Sequence, residues 1–130
     1  MENKLITKIA EGLKHLYNTD IDENQIQIQK TRKEFDGDLT VVVFPFLRAS
    51  KKSPEQTAED LGAYIQENIE EITAFNVVKG FLNFEISRAY WLSVFKTIST
   101  TDNFGFKKPN SESTIMVEYS SPNTNKPLHL

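Results

Sequence analysis

Hydrophobic residues recur along the chain at two alternating periods. Leu5, Ile6, Ile9, Ala10, Leu13, Leu16 and Tyr17 fall at helical spacing, with Glu2, Lys4, Lys8, Glu11 and Lys14 on the opposite face. This spacing predicts an amphipathic first helix that ends at Asn18-Thr19-Asp20. Strict alternation then takes over in Gln25-Ile26-Gln27-Ile28-Gln29, the pattern of a half-buried strand. A polar turn, Glu34 to Asp38, leads into Leu39-Thr40-Val41-Val42-Val43-Phe44, whose β-branched residues predict a second strand paired antiparallel to the first. Pro45 stops that ladder because it has no N–H to donate, and Phe46 to Lys52 reads as a loop or short turn.

Ser53-Pro54-Glu55-Gln56 carries several helix-start signals at once. It has a serine N-cap, proline at the first helical position, an acid in the first turn, and glutamine where a capping box needs it. Ala58, Leu61, Gly62, Ile65, Ile69 and Ile72 then share one face. Thr73 to Val78 predicts a third strand, which Lys79-Gly80 reverses into a fourth, Phe81 to Ile86. If Leu82, Phe84 and Ile86 face the helices, Phe81, Asn83 and Glu85 face the other side of the sheet. Ser87 is placed to cap a last helix that buries Trp91, Leu92, Val94, Phe95 and Ile98 and ends at Thr100-Thr101-Asp102. Asn103 to Ser113 reads as a linker, and Thr114 to Glu118 as a buried strand opening into a polar loop.

The order α-β-β-α-β-β-α predicts an α+β fold of two layers, a mixed four-stranded sheet with helices segregated on one face. With 38% hydrophobic residues in 130, the chain can bury a core. The expected division is a domain over residues 1–105, then a linker and the start of a second domain over 106–130.

Composition narrows the chemistry. The absence of cysteine excludes a disulfide framework and thiolate zinc, and His15 and His129 alone make no metal cluster. Neither a signal peptide nor a membrane-length apolar run is present, so a cytoplasmic location and no membrane partner are expected. The net charge of -3 argues against a protein that mainly coats nucleic acid, but the charge is unevenly spread. Lys30, Arg32, Lys33, Arg48, Lys51 and Lys52 cluster before an acidic stretch, Glu55 to Glu71, that contains no base. One side suits RNA and the other does not. An exposed aromatic beside an amide on an open sheet, Phe81 and Asn83, is an arrangement that stacks and pairs with an unstacked base; packing under a loop or another domain is the plain alternative for Phe81.

The closing residues, Glu118-Tyr-Ser-Ser-Pro-Asn-Thr-Asn-Lys-Pro-Leu-His-Leu130, carry the densest chemistry. Glu118, Ser121, Pro122, Asn123, Lys126, Pro127 and His129-Leu130 resemble the segment of arginyl-tRNA synthetases that runs from the first strand of a Rossmann-type catalytic domain into the class I signature His-x-Gly-His. The preceding hundred residues are similar, more loosely, to the extra N-terminal domain of the same enzymes, and Gly80-Phe81-Leu82-Asn83 resembles the family's Gly-Phe-Ile-Asn stretch. Three residues before Phe81 some members place Asn; here Val78 stands.

The resemblance implies an arginine–tRNA ligase that activates L-arginine with ATP, taken with Mg2+, and transfers it to tRNA(Arg). On that basis Glu118, Ser121 and Asn123 would bind arginine, Lys126, Pro127 and His129 would bind ATP, and Lys126 and His129 would act in catalysis. Phe81 and Asn83 would contact the tRNA D-loop, with Lys79, Arg48, Lys51 and Lys52 on phosphates. No resident cofactor or metal is expected in these residues. The resemblance further implies that these residues alone are inactive and that the whole enzyme is a monomer. An uncovered strand at 114–118 would favour self-association of the isolated chain. The alternative function is a free-standing RNA-binding or adaptor domain.

Overall fold

The computed structural model describes residues 1–106, Thr114 and residues 116–119. It divides into two units, Met1–Thr100 and Thr101–Leu130. The first unit holds helices α1 (Glu2–Tyr17), α2 (Leu47–Ser50), α3 (Pro54–Asn68) and α4 (Arg88–Thr100), and strands β1 (Ile28–Lys30), β2 (Leu39–Val42), β3 (Ile72–Val78) and β4 (Phe81–Ile86).

The expected α+β, two-layer fold is observed, and the sheet order is β1-β2-β4-β3. Every neighbouring pair is antiparallel, so the sheet is not mixed as expected. The reason lies in the connection through α3. It carries the chain from β2 to β3, which run the same way, but β4 inserts between them and opposes both. Parallel neighbours are thereby avoided.

The core lies between the sheet and helices α1 and α3. Leu5, Ile9 and Leu13 of α1 meet Leu61 and Ile65 of α3, and Val41, Leu82 and Phe84 fill the space from the sheet; all are fully buried. At the start of α3, Ser53 Oγ accepts a hydrogen bond from the Gln56 backbone N–H at 3.2 Å, as the serine cap predicts. Ser87 does the same for α4 through the N–H of Tyr90.

Three local expectations are corrected. The first strand is shorter than its alternation suggests, because Glu23–Gln25 forms a 3-10 turn capped by Asp22. The second ends at Val42 and not at Phe44: Val43 adopts a helical backbone conformation, Phe44–Phe46 forms a 3-10 turn, and the stretch expected as a loop or short turn holds the single helical turn Leu47–Ser50. Lastly, α4 buries none of its residues, and Trp91, Leu92, Phe95 and Ile98 are exposed. Its periodicity is that of an amphipathic helix, but among the described residues only Tyr90 packs, partly buried, against the core.

In the second unit, Phe104 N–H donates to the Thr101 carbonyl and Phe106 N–H to that of Asn103, closing a turn in which Asn103 and Gly105 have positive φ. Thr114 and Met116 to Glu118, the described part of the expected last strand, form no strand, and Met116 and Val117 are exposed. Their expected burial required sheet neighbours on both sides.

Candidate nucleic-acid interface

The helix-free face of the sheet is built by register. Gln29 pairs with Thr40, Thr40 with Asn83, and Asn83 with Asn76, which sets four polar residues in a row across all four strands. The adjacent row is apolar: Val42, Phe81 and Val78. The turn Lys79-Gly80 fixes this arrangement, since both residues have positive φ (50° and 77°), as a two-residue hairpin turn with the right-handed strand twist demands.

A cavity of about 180 Å³ opens on this face, lined by Gln29, Arg32, Phe35, Thr40, Val78, Lys79, Phe81 and Asn83. Two aromatic rings border it. Phe81 is half-buried and stands edge-on to Phe44, with ring centroids 5.8 Å apart, and Phe35 comes from the 31–38 loop. The lining holds two cations and no acid, and among the described residues neither Arg32 nor Lys79 forms an ion pair.

Asn83 does not lie exposed beside Phe81, as alternation alone predicts; it is only 1% exposed. The 31–38 loop folds over it. Gly37 sits against it with φ 128°, and a Cβ there would lie 3.2 Å from the Asn83 Cβ and 3.1 Å from the Phe84 carbonyl, so a glycine lets the loop settle. Burial of the amide is matched by partners. Thr40 Oγ1 donates to Asn83 Oδ1 at 2.6 Å, and Asn83 Nδ2 donates to Asn76 Oδ1 at 2.8 Å. Asn76 Nδ2 donates in turn to the Asp36 carbonyl at 2.8 Å. The hydroxyl of Thr31 lies 3.0 Å from that of Thr40.

That carbonyl can only accept, so Asn76 must turn its oxygen to Asn83, and Asn83 must turn its own oxygen to Thr40. The amide of Asn83 therefore has one orientation. It lines the cavity with one N–H and one oxygen lone pair beyond those used.

The remaining site expectations fall elsewhere. Arg48 and Lys51 line a different depression, with Tyr17, Thr19, Asp20 and Pro45. Lys52 is engaged: its Nζ donates to Asp60 Oδ2 at 2.6 Å and lies 5.8 Å from the centre of the Tyr17 ring. The Lys52 hydrogen bond, assisted by one from Tyr17, holds the Asp60 carboxyl below its ordinary range. Burial, together with the hydrogen bond to Asp60, pushes the Tyr17 phenol well above its own. Glu118 is exposed, whereas Ser121, Asn123, Lys126, Pro127 and His129 lie outside the described residues. Among the described residues, no group of three or more His, Cys, Asp or Glu side chains is arranged to hold a metal, and no helix is long and apolar enough to cross a membrane.

Sequence reasoning did not single out Arg32 as a contact, nor Phe35, Gln29, Thr40 and Asn76. Phe35, a lone aromatic inside a polar turn, was the available signal.

Residues 3–86 match the family model described as the arginyl tRNA synthetase N terminal domain. The chain belongs to the arginyl-tRNA synthetase N-terminal domain family. It is 50% identical over 131 residues to an arginine–tRNA ligase of Bacteroides fragilis, and 52% identical over 128 residues to one of Porphyromonas gingivalis. These alignments cover 100% and 98% of this chain but 22% and 21% of the relatives, so the chain spans about a fifth of their length. The arginyl-tRNA synthetase of Thermus thermophilus shares the fold, with a TM-score of 0.61 at 22% identity over 72% of this chain and 15% of that one. The matched family region contains all four strands and the whole cavity lining.

Proposed function

We propose that this chain is the tRNA-contacting N-terminal domain of an arginine–tRNA ligase, the enzyme that activates L-arginine with ATP and joins it to tRNA(Arg) in the cytoplasm. In this reading the helix-free face receives one unstacked base of the D-loop. The observation that carries the proposal is the cavity where Phe81, a pre-oriented Asn83 and the cations Arg32 and Lys79 converge. An aromatic face supplies sequence-tolerant stacking, the fixed amide supplies edge recognition, and Lys79 supplies a phosphate contact. A chain with net charge -3 binds RNA this way if its contact is local rather than a broad basic surface.

Arg48 and Lys51 extend the phosphate contacts along the edge they occupy. Lys52 is held by Asp60 and takes a lesser part. Arginine and ATP, with its Mg2+, are handled by the polar closing segment, with Glu118, Ser121 and Asn123 on arginine and Lys126, Pro127 and His129 on the nucleotide. This segment lacks catalytic competence without the remaining four-fifths of the relatives' length.

The test is aminoacylation by the full-length ligase. Phe81→Ala and Asn83→Ala are expected to raise the KM for tRNA(Arg) roughly tenfold or more while the KM values for ATP and arginine stay at wild type. Wild-type tRNA kinetics in both variants would reject the reading.

A further inference from the structure

The 31–38 loop is pinned far more firmly than joining β1 to β2 requires. Thr31 N–H donates to the Asp38 carbonyl at 3.1 Å and Phe35 N–H to the Arg32 carbonyl at 3.0 Å, which closes the loop on itself. Its other anchors reach past the hairpin. Asp38 N–H donates to the Phe84 carbonyl at 2.7 Å, Asp38 Oδ2 accepts from Ile86 N–H at 2.8 Å, and the Asp36 carbonyl accepts from Asn76 on β3. Together with the close seat of Gly37 on Asn83, these bonds lay the loop across β4 and hold Arg32 and Phe35 at the cavity. Phe35 nevertheless stays 38% exposed, and Arg32 is exposed too. A large ring kept partly in water by a tied-down backbone is not accounted for by core packing.

We infer that Phe35 and Arg32 form a preformed second jaw of the cavity. Phe35 stacks on the base that Phe81 contacts, and Arg32 binds the phosphate attached to that nucleotide. The ligand class is one nucleotide of single-stranded RNA, gripped between one ring from the 31–38 loop and one from β4. Because the jaw is anchored before RNA arrives, little ordering entropy is lost on binding. Arginine suits the phosphate role, since its planar fork pairs with two phosphate oxygens. This inference rests on the RNA reading above and adds to it residues that the resemblance does not assign.

Direct binding of an unmodified tRNA(Arg) transcript to the full-length protein tests it, with Phe81→Ala as the reference. Phe35→Ala is expected to weaken binding roughly tenfold, Phe35→Leu to weaken it similarly, and Phe35→Tyr to bind as wild type, because a ring and not mere apolarity is required. Arg32→Gln is expected to weaken binding and to reduce the slope of log affinity against log salt by about one. Unchanged thermal melting of the variants shows that the loop has not simply collapsed. If Phe81→Ala weakens binding while Phe35→Leu and Arg32→Gln match wild type in affinity and salt slope, the second jaw is wrong and the RNA reading stands. Should Phe81→Ala also bind as wild type, both are wrong.

Discussion

Thr40 and Asn83 face each other across β2 and β4, and the threonine hydroxyl donates to the asparagine carbonyl oxygen over 2.6 Å. Both are buried, at 5% and 1% exposure, so each is the other's substitute for water. The bond serves stability and recognition together.

Thr40→Val keeps the shape and removes the donor. It is expected to cost about 1–3 kcal/mol, the penalty of stranding a buried acceptor, which lowers Tm by about 4–8 °C per kcal/mol in a domain of this size. Thr40→Ser retains the hydroxyl and is expected to recover most of that loss. Thermal unfolding followed by circular dichroism checks the pair, and equal melting of the valine and serine variants would contradict the account.

Helix α4 gives a contrasting expectation. Leu92 and Phe95 are each 68% exposed, so Leu92→Lys and Phe95→Lys should change the stability of the isolated 130-residue chain by no more than about 0.5 kcal/mol. Ile65→Ala, in the fully buried core, should cost about 2–5 kcal/mol. Denaturant midpoints measured side by side distinguish an open helix face from a covered one.

The Tyr17–Asp60–Lys52 cluster makes stability depend on pH at both extremes. The folded carboxyl of Asp60 titrates below its ordinary 3.8, so the stability it contributes is present above that value and is lost as pH falls through the folded pKa. The phenol of Tyr17 is shifted the other way. Its contribution is present below the ordinary 10.0 and is lost as pH rises from there towards its folded pKa. Asp60→Asn is expected to flatten the acid limb of a stability–pH curve, and Tyr17→Phe the alkaline limb. Unfolding measured by urea between pH 2 and 11.5 would show it; unchanged limbs would mean the cluster contributes nothing.

Local signals in the sequence were enough for much of the fold. Ser53 and Ser87 cap the helices they were expected to cap, and the bounds of β4 coincide with the alternation of Phe81 to Ile86. The same alternation also placed Phe81 and Asn83 on the helix-free face. It did not reveal that Asn83 is covered there, because the covering loop is brought in by bonds from β3 and β4, 40 and 48 residues away in sequence. Period likewise identified the apolar stripe of α4 but not its environment: a stripe records what a helix is suited to meet, and among the described residues little meets it. The jaw residues were hidden for a related reason. Arg32 and Phe35 look like turn residues until the backbone beneath them is seen to be fastened.

The polar row across the helix-free face takes one residue from each strand, Gln29, Thr40, Asn83 and Asn76, and its first three line the cavity. No single hairpin cut from this chain can therefore reproduce it, and transplanting the Gly80–Asn83 segment onto another hairpin would carry over a ring and an amide without the neighbours that aim them. A slip of β2 against β4 by a single position would turn Thr40 inward and bring Val41 to the floor. Recognition here is a property of strand alignment, inherited only with the whole sheet.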